Sequence, residues 1–245
     1  MATNWKYLDS GANIAACNMA SDEDLLARAQ AGDVIPVLRF YTWDPPAVSL
    51  GRFQNIESAV DPAACKRHGF GIVRRPTGGR AVLHKAELTY SVIARTDNPL
   101  FPPDVLGTYK VIAEGLVAGL ANLGIAAEIV SKTSRLGHLV DRNSKNPSCF
   151  SSPSWYEIVV NGKKIVGSAQ RRLSHAFLQH GSILIDYDPA LEAEVICGGG
   201  SAERVTSIRR ELRRDVADDE VKRAMLAGFS HALGISLARP SIASK

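Results

Sequence analysis

The chain has 245 residues, 45% of them apolar and 22% charged, and its 29 Lys and Arg against 25 Asp and Glu leave a formal charge of +4. No window approaches the ~18 consecutive apolar residues of a membrane span, and the start Met1-Ala2-Thr3-Asn4-Trp5-Lys6 lacks the basic region, apolar run and cleavage site of a secretory signal. A soluble, cytoplasmic protein is therefore expected, with no membrane partner. So mild an excess of positive charge does not indicate nucleic acid, and an acidic protein partner suits it equally well. Mixed α/β units of this length often form one body with a substantial core. A single domain over 1–245 is expected, with 200–245 a C-terminal helical segment.

In chain order, Trp5 to Leu8 predicts a short strand and Asn13 to Ala29 a helix ended by Gly32. Val37 to Thr42 and Ala47 to Leu50 predict two strands of a hairpin turning at Trp43-Asp44-Pro45-Pro46. Pro62 to His68 predicts a helix closed by Gly69. Gly71 to Val73 and Glu87 to Ala94 predict strands, joined by the stretch Arg74 to His84. Tyr109 to Leu123 keeps helical apolar spacing and stops at Gly124. Ser131 to Ser148 is polar and aperiodic, which predicts a long mobile loop. Trp155 to Val160, Asn161-Gly162 and Lys163 to Leu173 form the strongest hairpin signal, because Asn-Gly adopts the positive φ angles of a type I′ turn. Ala176 to Asp186 can add a third strand. Helical patterns resume near Pro189 and from Asp218 to Leu233, while Arg204 to Arg214 reads as a solvated helix face. Strands in the middle, helices at the ends and hairpins in place of βαβ repeats predict an α+β fold with a mostly antiparallel or mixed sheet flanked by helices.

Four cysteines, Cys17, Cys65, Cys149 and Cys197, are too scattered for a C-x-x-C metal or redox pair. Disulfides are not expected in a reducing compartment. Cys17 and Cys65 fall in helical patterns and read as packed thiols. Cys149 lies in Lys145-Asn146-Pro147-Ser148-Cys149-Phe150-Ser151-Ser152-Pro153, a loop-like run where a nucleophile and an incidental thiol are both open readings, and Cys197 beside three glycines is its rival. The segment Arg74-Arg75-Pro76-Thr77-Gly78-Gly79-Arg80 is either a plain turn or a ligand loop, in which glycines let backbone N–H groups approach an anion or carbonyl and arginines add charged donors. It is neither a Walker loop nor a dinucleotide fingerprint. Lys163 and Lys164 point to opposite faces of a strand, so at most one enters a site. The small residues Gly167-Ser168-Ala169 would let a ligand chain lie along that strand. The histidines show no zinc-ligand spacing, and no metal is expected.

Taken together, Asn18-Met19-Ala20-Ser21-Asp22-Glu23, Arg74 to His84, Gly162 to Gln170 and His180-Gly181-Ser182 resemble the catalytic superfamily of lipoate-protein and biotin-protein ligases. Thr77, Arg80 and Pro147-Ser148-Cys149-Phe150 depart from the ATP-dependent lipoate ligases and are similar to ligase-like octanoyltransferases. That resemblance implies the biotin/lipoate ligase catalytic fold and transfer of octanoyl from octanoyl-acyl carrier protein to the lysine of glycine cleavage H protein or another lipoyl domain. It implies Cys149 and Lys164 as catalytic residues, with Cys149 carrying a thioester. It places Arg74, Arg75, Thr77, Gly78, Gly79, Ala81, His84, Gly167, Ser168, Ala169, His180 and Gly181 at the substrate. No cofactor is implied, since a thioester donor is already activated. An ATP-dependent lipoate or octanoate ligase and a lipoyl amidotransferase are the alternatives on the same fold, and a monomer is expected.

Overall fold

The computed structural model describes residues 3–130 and 156–238. Strand β1 (Thr3–Asn13) leads into helix α1 (Ala15–Ala31), whose buried stripe Asn18, Met19, Asp22, Leu25, Leu26 and Ala29 recurs every three to four residues. Strand β2 (Val37–Trp43) and strand β3 (Ala47–Leu50) follow. Short helices α2 (Ile56–Ala59) and α3 (Pro62–Arg67) are capped by the side chains of Asn55 and Asp61. Strands β4 (Gly71–Arg74), β5 (Val82–His84) and β6 (Glu87–Arg95) precede helix α4 (Val105–Asn122), which Asp104 caps through Gly107 N at 2.8 Å. Strands β7 (Glu128–Ile129), β8 (Ile158–Val160), β9 (Lys163–Arg172) and β10 (Ala176–Leu184), helices α5 (Pro189–Val195), α6 (Ile208–Leu212) and α7 (Asp218–Leu233), and strand β11 (Ile235–Ala238) complete the described chain.

The main sheet runs β11-β1-β2-β6-β10-β9-β8-β7, and a smaller one runs β4-β3-β5. β1 pairs in parallel with both β11 and β2, while the pairings from β2 to β7 are antiparallel, so the sheet is mixed. The hairpin expected between Val37 and Leu50 does not form. Both edges of β2 are occupied by β1 and β6, so β3 instead seeds the second sheet with β4 and β5. The stretch Arg74 to His84 accordingly contains a strand of its own. The Asn161-Gly162 turn joins β8 and β9 with φ of 49° and 77°, as the type I′ reading requires. The basic run after Arg204 contains only the short α6, anchored by buried Ile208 with Arg209 and Arg210 exposed. The C-terminal segment adds a strand as well as helices, since β11 pairs with β1.

Strand alternation sorts the sheet into two faces. Leu38 and Phe40 of β2 and Leu88, Tyr90 and Val92 of β6 pack under α4 and α7 in the principal core, with Ile112, Leu116, Met225 and Phe229. The opposite face turns Arg39, Tyr41, Glu87, Thr89, Ser91 and His180 toward α1, and all of them are buried. Apolar packing on this side closes both ends, with Leu25, Leu26, Val37, Ile93 and Leu178 at one and Met19, Tyr41, Trp43 and Ala47 at the other.

α4 and α7 cross at Gly119 and Gly228. A Cβ on Gly228 would fall inside contact distance of the Gly119 backbone, and one on Gly119 would lie 2.5 Å from Met225 Sδ and 2.9 Å from Met225 Cα. Helix propensity alone makes Gly→Ala stabilising by about 1 kcal/mol, whereas overpacking a core contact costs roughly 1–3 kcal/mol. Gly228→Ala is therefore expected to destabilise by a net of up to about 2 kcal/mol and to lower the thermal midpoint by up to about 8 °C. A midpoint at or above that of the parent protein would show that the helices part without cost.

Candidate active site

The site lies on the α1 face, where the polar residues of β2, β6 and β10 meet the turn Arg75–Arg80. At its centre is Asp22, wholly buried. Its Oδ1 accepts from Arg39 Nη1 at 2.7 Å, and its Oδ2 accepts from Tyr41 Oη at 2.9 Å and His180 Nδ1 at 2.9 Å. Ser91 Oγ donates between the two oxygens at 2.8 Å. Burial alone would raise the carboxyl pKa, but the hydrogen bond from His180, the charge of Arg39 and the Ser91 hydroxyl hold it below the ordinary value. Burial also lowers the pKa of His180 and raises that of Tyr41 well above the ordinary phenol.

On its other nitrogen, Nε2, His180 meets Thr77 Oγ1 at 2.7 Å. Thr77 Oγ1 accepts from Arg75 Nε at 3.2 Å, and Arg75 Nη2 donates to the carbonyls of Gly78 at 2.8 Å and Arg80 at 2.7 Å. Arg75 Nη1 reaches the Ser49 carbonyl and hydroxyl, both at 3.1 Å. Ser49 Oγ meets His84 Nε2 at 2.7 Å, and His84 Nδ1 meets Glu87 Oε1 at 2.6 Å. Arg75 is thus flanked by two histidine–carboxylate pairs, each reached through one hydroxyl. His84 stacks on Trp43 with ring centroids 3.9 Å apart, and Trp43 Nε1 donates to Thr89 Oγ1 at 2.7 Å.

This network walls a narrow cleft lined by Met19, Tyr41, Trp43 and Val82, by Arg75, His84 and His180, and by Gly167, Ser168, Ala169 and Gly181. Ser168 and Ala169 also border a second groove, lined by Gly78, Gly79, Leu106, Tyr109, Glu157 and Gln170. The inner cleft is mostly apolar and the outer groove opens beside the glycine turn. Gly79 takes φ of 89°, a left-handed conformation suited to glycine. Gly51 packs directly on the Gly79 carbonyl, where any Cβ would collide.

Lys164 is buried in β9, while Lys163 is exposed. Lys164 Nζ donates to Glu157 Oε1 at 2.6 Å, with side chains only 1% and 3% exposed. Glu157 borders the outer groove, so the ion pair stands at its wall. Three of the expected substrate residues, Arg74, Thr77 and Ala81, line neither cleft. Arg74 is exposed, with Nη1 clamping the carbonyls of Gly51, Arg52 and Gln54 at 2.8–3.1 Å. Ala81 belongs to the small apolar core around Val48 and Leu50. Thr77 is buried and works through its hydroxyl. Cys149, its flanking loop and the start of the strand expected from Trp155 lie outside the described residues. Cys17 is exposed, not packed, because it falls on the outer side of the α1 stripe; Cys65 is buried and Cys197 exposed. No cluster able to hold a metal ion occurs among the described residues.

Asp22, Arg39, Ser49, Glu87 and Glu157 are site residues that sequence reasoning did not single out by role. An arginine inside the otherwise apolar-aromatic run Val37–Trp43 was the available signal, since a strand buried on both faces accepts a charge only beside a partner.

Residues 15–230 match the family model described as the lipoyl protein ligase A/B catalytic domain. The chain belongs to that family. It is 41% identical over 243 residues to octanoyltransferase LipM of Geobacillus kaustophilus, covering 95% of this chain and 87% of that one. It is 39% identical over 243 residues to octanoyltransferase LipM of Bacillus subtilis, with nearly the same coverage, 95% and 87%. The solved structure of lipoate-protein ligase A bound with ATP superposes with a TM-score of 0.78 at 28% identity, covering 100% of this chain and 90% of that one. The expected biotin/lipoate ligase-like α+β fold is therefore the fold of this family member. Among the described residues no helix is long and apolar enough to cross a membrane.

The position of His180 has a consequence for acid stability. Its ordinary value is 6.5 and its native value is lower. Above 6.5 both the folded and unfolded chains keep the ring neutral. As pH falls below 6.5 the unfolded chain takes up the proton first, so stability declines from there toward the native pKa. Thermal midpoints measured from pH 7.5 to 5 should fall on the acid side, and less steeply in His180→Asn. Parallel slopes in the two proteins would show that the imidazole does not resist protonation in the fold.

Proposed function

We propose that this chain is an octanoyltransferase of lipoate biosynthesis, moving an octanoyl group from octanoyl-acyl carrier protein to the acceptor lysine of glycine cleavage H protein through a thioester on Cys149. The observation that carries this reading is a pair of clefts that share Ser168 and Ala169 in their walls: a mostly apolar inner cleft suited to a linear acyl chain, and an outer groove bordered by Glu157, the carboxylate that holds Lys164. Likeness to two octanoyltransferases over nearly the whole chain supports the same chemistry.

In the first half-reaction the Cys149 thiolate attacks the octanoyl carbonyl, and the carrier's thiol leaves with a proton. In the second, the acceptor amine attacks the Cys149 thioester, loses a proton and expels the thiolate, leaving an amide. Both steps are acyl transfers from an activated ester, so no nucleotide is consumed and no cofactor is used. A buried ammonium such as Lys164 favours a neighbouring thiolate and orients a carbonyl. The N–H groups of the Gly78-Gly79 turn are the donors proposed for the developing oxyanion. The enzyme acts in the cytoplasm as a monomer in this reading. With a lipoyl domain as donor, the same machinery would serve as an amidotransferase.

The ATP-bound relative raises the alternative of an ATP-dependent ligase. Incubation with octanoyl-acyl carrier protein in the absence of ATP, followed by intact-protein mass measurement, separates the two. One octanoyl adduct is expected on the parent protein and none on Cys149→Ser, and adding H protein should discharge the adduct. Modification only with free octanoate and ATP would establish the ligase, and an adduct surviving Cys149→Ser would remove that residue from the mechanism.

A further inference from the structure

The inner cleft is walled by a hydrogen-bonded chain whose members cannot all contact substrate, because their polar atoms are already engaged with one another. Its direction follows from the acceptors. Asp22 can only accept, so the His180 proton that meets it is on Nδ1. The ring is buried, and a neutral imidazole protonated at Nδ1 has Nε2 left as an acceptor. The Thr77 hydroxyl must then donate to Nε2, leaving its oxygen lone pairs for Arg75 Nε. Arg75 in turn holds the carbonyls of Gly78 and Arg80, the two ends of the glycine turn. The groups facing His180 set this state: Asp22 from α1, Arg39 and Tyr41 of β2 bound to or beside that carboxylate, Arg75 from the turn, and His84 from β5. Every link is 2.7–3.2 Å.

Neither amide of Gly78 or Gly79 is used in a backbone hydrogen bond among the described residues, and both glycines border the outer groove. The Gly78 and Arg80 carbonyls are therefore tied back into the protein while the two glycine amides are left for another acceptor. A turn containing a left-handed glycine would otherwise be soft, and the chain from Asp22, together with the Arg52 N–H donated to the Thr77 carbonyl at 2.8 Å, ties it to the protein.

From this we infer that Asp22 and His180 are positioning residues for acyl transfer: acting through the Thr77 hydroxyl, they hold the Gly78-Gly79 turn in the orientation in which its amides face the reacting carbonyl. This role rests on the transferase reading, and it assigns His180 to the support of the turn in place of direct substrate contact. The second pair, His84 and Glu87, reaches Arg75 only through Ser49 and grips the other end of the guanidinium.

The test uses the full chain and three substitutions that leave volume nearly unchanged or keep the Asp22 bond. Thr77→Val removes the hydroxyl, Thr77→Ser keeps it, and His180→Asn retains an N–H for Asp22 but no longer reaches Thr77. With octanoyl-acyl carrier protein and H protein as substrates, Thr77→Val and His180→Asn should each lower kcat roughly 10- to 100-fold, the scale of a catalytic group displaced by about an ångström, with KM changed less than about 3-fold. Thr77→Ser should recover activity to within about 3-fold, and Thr77→Val/His180→Asn should be no slower than the worse single variant, because both break one bond. Backbone amide order parameters of Gly78 and Gly79 should fall in Thr77→Val and His180→Asn while the thermal midpoint stays within a few degrees. Multiplicative losses in the double variant, failure of Thr77→Ser to recover, a KM effect alone, or unchanged order parameters at the turn would each overturn the inference. A parent protein that transfers no octanoyl group would instead overturn the functional reading, and the order parameters would still decide whether the pair holds the turn.

Discussion

A fully buried carboxylate is the constraint around which the α1 face is arranged. Leaving Asp22 without compensation would cost several kcal/mol, and the fold meets that requirement from four directions with Arg39, His180, Tyr41 and Ser91. Those partners come from β2, β6 and β10, three neighbouring strands. One side chain of α1 therefore fixes the helix to the middle of the sheet and sets the ionisation and tautomer of a histidine at the cleft. Arg39 carries a second load by lying over the Tyr41 ring at 3.9 Å, which orients the phenol toward Asp22.

The two faces of the sheet divide the work. Under α4 and α7, aromatic and branched residues pack with close helix contact at Gly119 and Gly228, and this face supplies rigidity. On the α1 face, apolar packing is confined to the two ends, and the middle is a polar network that is buried and internally satisfied except at Glu87 Oε2. In the proposed reaction a substrate entering the cleft would meet a pre-formed surface, which is the condition for positioning without a large ordering cost. Opposite, the Lys164–Glu157 pair brings a buried charge to the outer groove without an uncompensated ion.

Several parts of this arrangement were legible in the chain. The Asn161-Gly162 hairpin, the α1 stripe, the α7 span Asp218–Leu233 and the opposite orientations of Lys163 and Lys164 follow from local rules of φ angle and periodicity. Strand β6 shows where such rules stop. Its alternation of Glu87, Thr89 and Ser91 with Leu88, Tyr90 and Val92 reads as one buried and one solvated face, yet both faces are buried and the polar one carries the site. Pairing partners were equally hidden: β3 sits next to β2 in the chain but belongs to the other sheet, because the edges of β2 were taken by strands distant in sequence.

The sequence by itself determined which residues can bend, donate or ionise: the glycine turn with its arginines, the small residues Gly167-Ser168-Ala169, the lysine after the Asn-Gly turn, and the ordered blocks that point to a ligase-like family. Only the tertiary structure decided what those groups do. Arg75 and Arg74 are adjacent in the chain, but one lines the cleft and the other braces the Gly51–Gln54 loop, because consecutive residues at a strand end face opposite ways. Asp22 and His180 are separated by 158 positions and meet at 2.9 Å. A charge inside a protein is defined by its partners, and partners are a property of packing that no local pattern contains.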